Sequence, residues 1–288
     1  MQNPVKFLLN TQASTDRFIS NAIWGDCPLG SIAADPRIAE VFIDDFNDLP
    51  LAPTLTTQVA FGRYKAYAAG GCTISRVSAI NSVEILGGAL QISMDTDDDE
   101  ASIAQAYPGF LLSGSGSTSG KLWFECCYTQ NSIATNMASV FIGLAETEQW
   151  TLASNVPHTS GDTIDNSASA IGFRIEEDGL GVIDTVRSDR ATSFTNIGDT
   201  EAGTMVAHTF RKFGMTYDPG RSTDCIRFYA NNQLLTTKLS NAALTAFTNL
   251  DANALGLIWS VAADSAGTSF LGSMKWWQCI QLHPASGF

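Results

Sequence analysis

Carboxylates are the first residues to weigh, because acid–base chemistry and hard-metal binding both draw on them. The densest run is Asp95-Thr96-Asp97-Asp98-Asp99-Glu100. Asp95, Asp97 and Asp99 match the first three ligand positions of an EF-hand loop. Glu100 then stands where that loop requires glycine, and Ala106 where it requires a bidentate glutamate. The run reads as a solvated acidic loop, with a looser calcium site on Asp95, Asp97 and Asp99 as the metal candidate. Glu146 and Glu148 lie two positions apart, hence on one face of an extended segment. They read as a turn edge following the apolar run Ser139–Ala145. Glu176-Glu177-Asp178-Gly179 reads as a hairpin turn in the same way.

Other reactive constellations are missing. The sequence has no Gly-x-Ser-x-Gly elbow, His-Glu-x-x-His pair or Walker loop. Gly114-Ser115-Gly116 precedes a strand pattern, whereas a dinucleotide fingerprint opens a helix. His158, His208 and His283 are isolated. Cys27, Cys72, Cys126, Cys127, Cys225 and Cys279 form no Cys-x-x-Cys pair, so they read as reduced, buried thiols. Cys126 and Cys127 point to opposite faces of a strand. Among the tryptophans, Trp259 and Trp276 fit inward positions and Trp277 faces away from Trp276. Trp150, in a loop, is the glycan-stacking candidate. No catalytic residue and no cofactor is assigned.

The elements that would position any site are strands. Leu90, Ile92 and Met94 alternate with polar residues, as do Leu122, Phe124, Cys126 and Tyr128, with Lys121 and Glu125 sharing the other face. The same period recurs in Ile171, Phe173, Ile175; in Phe213, Met215, Tyr217; in Ile226, Phe228; and in Leu255, Leu257, Trp259, Val261. The last run places Met274, Trp276, Gln278 and Ile280 on one face. Asp218-Pro219-Gly220 and Asn231-Asn232 supply turns. Asp35–Val41 and Asn241–Phe247 are short helix candidates. Repeated period-2 alternation predicts an all-β sandwich of two antiparallel sheets over residues 58–288.

Residues 1–57 differ. Pro4, Pro28, Pro36, Pro50 and Pro53 interrupt them, and they read as an irregular arm. Phe7, Leu8, Leu9, Phe18, Ile19 and Trp24 are the arm's candidates for contact with a neighbouring subunit or other partner, the alternative being that the arm folds back and seals its own sandwich. The net charge is −13, which argues against a nucleic-acid backbone binder. No apolar stretch is long enough for a membrane span, and Val5–Leu9 is too short for a signal peptide core.

The strand order resembles concanavalin A-like, laminin-G-like jelly-roll domains. Phe213–Thr236 is similar to their strand, turn, strand and Tyr-x-Asn-Asn unit, and Met274–Leu282 to their closing strand. Asp44-Asp45-Phe46, Gly87-Gly88-Ala89-Leu90, Asp97–Glu100, Lys121–Glu125, Phe141–Leu144 and Ile171–Arg174 resemble phage-encoded proteins of this fold. The resemblance implies a capsid decoration or cement protein of a tailed-phage virion, assembled in host cytoplasm. Its partners would be the major capsid protein or other virion subunits, with homo-oligomeric or lattice-repeated copies. The alternative it leaves open is a carbohydrate-binding module of a head or tail fibre, and the third an endoglycosidase. The glycosidases of this scaffold carry Glu-x-Asp-x-x-Glu, which this sequence lacks.

Overall fold

The computed structural model describes residues 19–46, 59–68, 71–80, 83–94, 100–113, 119–134, 138–146, 169–176, 181–189, 193–198, 201–247, 250, 253–262 and 269–284. Among the described residues helix is short: α1 (Asn21–Trp24), α2 (Leu29–Ala34), the 3-10 turn Pro36–Ile38 and α3 (Asn241–Thr245), which Ser240 caps by accepting the Ala243 N–H at 3.1 Å. The strands are β1 (Ala39–Asp44), β2 (Val59–Phe61), β3 (Tyr64–Ala68), β4 (Thr73–Ile80), β5 (Val83–Met94), β6 (Glu100–Gln105), β7 (Leu122–Gln130) and β8 (Ser139–Ala145). They continue as β9 (Ala170–Ile175), β10 (Ile183–Asp189), β11 (Ser193–Gly198), β12 (Arg211–Tyr217), β13 (Ile226–Ala230), β14 (Gln233–Leu239), β15 (Gly256–Ala262) and β16 (Phe270–Leu282).

Two antiparallel sheets result, as the alternation predicts. Sheet A runs β14-β13-β12-β7-β16-β5-β4, with β1 on the same edge of β16 as β5; sheet B runs β11-β10-β9-β8-β15-β6-β3-β2. The inner faces carry the residues read as inward. Phe124, Cys126, Tyr128, Phe173, Phe213, Met215, Phe228 and Trp259 are all buried in one core between the sheets. Phe173 meets Phe213 at 5.1 Å and Phe228 edge-on at 5.7 Å between ring centroids. Burying each such side chain contributes about 1.5–3 kcal/mol. Asn231 and Asn232, with φ of 47° and 67°, make the β13–β14 hairpin turn that their residue types predict.

Two expectations need correction. The boundary at residue 57 does not separate an arm from a body, because β1 lies inside that segment and pairs with β16 from Ala39↔Leu282 to Asp44↔Trp277. Its apolar residues fall on both faces, Phe42 inward and Ala39, Val41 and Ile43 outward, so no period-2 signal marks it. The second concerns β16. Its register shifts between Met274 and Trp276, and this bulge at Lys275 reverses the alternation. Met274, Trp277 and Cys279 point into the core, whereas Trp276, Gln278 and Ile280 lie on the outer face of sheet A.

Backbones approach closely at one place in sheet B. Gly143 of β8 lies opposite Gly172 of β9, and a Cβ on Gly143 would stand 2.3 Å from the Ile171 carbonyl oxygen. Replacing Gly143 by alanine is expected to lower unfolding free energy by about 1–3 kcal/mol, the usual cost of overpacking. Urea denaturation of the two proteins, with unchanged m-value, measures it.

Candidate functional site

The outer face of β7 presents Lys121, Trp123 and Glu125 in alternation, and the segment from Ile19 to Ile43 lies over them. Ile23, Trp24 and Ile32 pack on Trp123, Tyr229, Ile280 and Leu282. Glu125, fully buried, collects the polar contacts. It accepts the Trp24 indole N–H at 2.7 Å, the Ser20 backbone N–H at 3.1 Å and the Ser20 hydroxyl. Burial pushes the Glu125 carboxyl above the usual glutamate range, against the pull of these donors and of Lys212. At the other end of the segment, Asp44 accepts the Tyr64 hydroxyl at 2.5 Å and the Phe46 N–H at 2.6 Å. Burial raises its carboxyl too, and Trp277 donates its indole N–H to the same Tyr64 oxygen at 3.2 Å.

Beside α1 lies a cleft of about 200 Å³ between the N-terminal turn and the β12–β13 connection. Its charges form a chain. Lys121 reaches Asp26 at 3.5 Å and Asp218 at 3.1 Å; Arg221 reaches Asp218 at 3.2 Å and Asp224 at 3.6 Å; Arg227 also pairs with Asp224. Burial alone would raise the Asp218 carboxyl, but Lys121, the Gly220 N–H and Arg221 together hold it below the usual range. The Arg227 hydrogen bond lowers Asp224. Asp218 and Asp224 favour their charged forms and are paired, so neither is poised as a general acid.

Sheet B offers its outer face. One row crosses it as Ser102, Ser260, Phe141, Arg174 and Asp184, and the next as Ala104, Ile258, Gly143, Gly172 and Val186. One guanidinium nitrogen of Arg174 binds both Glu176 at 2.6 Å and Asp184 at 2.9 Å, with Arg174 and Asp184 almost fully buried. Two carboxylates on one nitrogen stand close enough for the retaining-glycosidase arrangement. Their contacts are opposed to it, because a shared guanidinium occupies the lone pairs that an acid or nucleophile needs.

The residues singled out from sequence scatter accordingly. Asp95, Asp97, Asp99, Trp150, Phe7, Leu8, Leu9 and Phe18 lie outside the described residues, as does Glu148. Trp24 and Ile19 are not exposed contacts: Trp24 is 3% exposed and Ile19 packs on the same cluster, so both belong to the chain's own body. An indole over sheet A has apolar neighbours and a buried acceptor there, which no solvent-exposed arm supplies. Glu146 is buried and accepts the Ser169 N–H at 2.6 Å. Trp276 is an outer-face residue. All six cysteines are unbridged, and burial pushes the Cys27 thiol up to about 12. Sequence reasoning missed Glu125, Asp44 and Arg174 as polar centres; a lone charge inside an apolar run was the signal at Glu125 and Arg174. It also missed Tyr107, which is 79% exposed after β6.

No family model matches the sequence, and no curated protein matches it. Solved structures do match its fold. A protein of unknown function, SO2946 from Shewanella oneidensis MR-1, aligns with TM-score 0.52 and 13% identity, covering 86% of this chain and 88% of that one. An endo-1,3-beta-glucanase from Streptomyces sioyaensis aligns with TM-score 0.51 and 13% identity, covering 86% and 98%. The chain is a concanavalin A-like jelly roll, and at this identity the likeness shows the fold alone.

The latch at Glu125 gives a pH dependence. A carboxyl raised on folding binds its proton more tightly in the native state, so its contribution is full below the ordinary glutamate range and declines as pH climbs through the raised value. Asp218 and Asp224, lowered on folding, act only as pH falls below the ordinary aspartate range. Glu125→Gln is therefore expected to flatten the fall of melting temperature between mildly acidic and neutral pH, leaving the acid limb unchanged. Thermal denaturation across that range checks it; the Asp44 contribution persists in both proteins.

Proposed function

We propose that this chain is a non-enzymatic structural protein of a tailed-phage virion, a capsid decoration or cement protein held on the outer shell. The observation that carries the non-enzymatic part is Arg174. It binds both Glu176 and Asp184 through one guanidinium nitrogen, with Asp184 buried and Glu176 partly exposed, and so occupies the oxygens that an acid or nucleophile needs. The carboxyls raised by burial, Glu125 and Asp44, are taken up by hydrogen bonds that hold the N-terminal segment. The virion part rests on the sequence resemblance. A body whose N-terminal segment is closed onto sheet A, with net charge −13, suits a protein that stays soluble at high copy number and is repelled by packaged DNA.

A second reading has one observation in its favour. Tyr107 stands 79% exposed in the loop between β6 and the Phe110 bridge to Leu255, with its carbonyl tied to Gln105 at 2.7 Å. An exposed ring on a fixed loop is a stacking platform for a sugar face, which supports a carbohydrate-binding module.

Quantifying the protein in purified particles separates these readings. A decoration role requires stoichiometric, repeated copies per particle and no turnover of beta-1,3-glucan or alginate. Absence from particles, or hydrolysis abolished by a single carboxylate replacement, overturns it. For the second reading, binding to a glycan array should fall by about tenfold or more in Tyr107→Ala, the loss of one stacked contact. Undiminished binding removes that reading.

A further inference from the structure

The cleft beside α1 is balanced in charge, although the chain as a whole carries −13. Its floor is one row of the outer face of sheet A, Trp123, Thr216 and Arg227 on adjacent strands, with Tyr229 beside them. One wall is the turn that carries Asp26, and the other is the β12–β13 connection. Three carboxylates, Asp26, Asp218 and Asp224, line it together with three cations, Lys121, Arg221 and Arg227. A purely anionic ligand would be repelled by the carboxylates, and a purely cationic one by the ammonium and guanidinium groups. At about 200 Å³ the cleft lies below the roughly 300–1,000 Å³ that takes a drug-sized molecule, so its occupant is small.

The ion pairs leave capacity open, and its sign differs between the two walls. The Asp26 side chain is 60% exposed. Its Oδ1 accepts the Trp123 indole N–H at 2.8 Å, whereas Oδ2 has only the Lys121 ammonium at 3.5 Å. Lys121 itself stands closer to Asp218, at 3.1 Å. Across the cleft the Arg221 side chain is 41% exposed. Its Nε binds Asp218 at 3.2 Å and its Nη1 stands 3.6 Å from Asp224, which leaves Nη2 open. One end thus offers an acceptor and the other a donor. Successive contacts of 3.5, 3.1 and 3.2 Å join Asp26 Oδ2 to Arg221 Nε through Lys121 and Asp218, so at most about 10 Å separates them. With a hydrogen bond of about 2.9 Å at each end, the remaining gap is spanned by one or two residues at about 3.3–3.6 Å each.

We infer that this cleft binds a small zwitterion of amino-acid or dipeptide size, its ammonium on Asp26 and its carboxylate on Arg221. Neither contact displaces an ion pair of the cleft, because Asp26 Oδ2 and Arg221 Nη2 are the atoms left open. The planar carboxylate matches the planar guanidinium, which a lysine at the same place would not. The inference is independent of the virion reading, since it concerns the isolated subunit.

Calorimetric titration of the full chain tests it. Alanine and glycylglycine separate the two lengths, each compared with its N-acetyl and its C-terminal amide form. One of the two zwitterions should bind saturably in the millimolar range, and its capped forms about tenfold more weakly. No saturable binding of either zwitterion, or equal binding of the capped forms, overturns the inference. Two substitutions then assign the ends. Asp26→Asn should erase the preference for a free amine and keep that for a free carboxylate, and Arg221→Gln should do the reverse. Preferences unchanged in both variants place the ligand elsewhere and overturn the assignment. The Trp123 indole N–H, which donates to Asp26, reports on the unaltered chain. Its proton resonance should move with the zwitterion and far less with the N-acetyl form; a static resonance overturns the site even if a variant does not fold.

Discussion

The bulge at Lys275 is the constraint on which sheet A depends. β16 hydrogen-bonds β7 along one edge and both β5 and β1 along the other, so its alternation decides what faces the core over three neighbours. With one residue left out of register, Met274 keeps its inward position beside β5, and Trp277 gains one beside β1, stacking on Tyr64 at 5.9 Å. Without the shift, Trp277 and Cys279 would turn outward and Gln278 would enter the core. The outer face, with Trp276 and Gln278, exists because of that single added residue.

Polar chemistry in this jelly roll serves closure. Glu125 and Asp44 anchor the two ends of the N-terminal segment by accepting hydrogen bonds, and the cations of the α1 cleft neutralise its carboxylates in a chain. Arg174 does the same across β9 and β10. Buried charges of this kind add little net stability compared with apolar packing, but each demands one geometry. The segment from Ser20 to Asp44 is thus held in place by directional contacts as well as by the burial of Ile23, Trp24 and Ile32.

Much of the sandwich was legible because burial on one face writes a period of two. Leu122, Phe124, Cys126 and Tyr128 announced both β7 and its inward face, and Glu125 its outward one. β1 was hidden because it is apolar on both faces among prolines, and the β16 bulge because Met274-Lys275-Trp276 preserves a perfect alternation through it. Trp24 and Ile19 resembled exposed arm residues for a related reason. Glu125, the acceptor for Trp24, is about a hundred positions away, as is Trp123 in the cluster on which Ile19 packs, and nothing local in Ser20–Trp24 specifies either. Arg174 was quoted only as a strand residue, since its clamp requires the register of β9 with β10.

The pairing of β1 with β16 also bears on synthesis. Ala39 meets Leu282, so β1 waits for β16, far along the chain, to leave the ribosome before its edge is filled. Until then Phe42 and the cluster around Trp24 have only part of their cover, because Ile280 and Leu282 arrive with β16. Closure of this kind, between segments far apart in the sequence, is slow and leaves nascent apolar surface open meanwhile. A polysome carrying many such chains would hold each as an unfinished sandwich until its β16 had emerged.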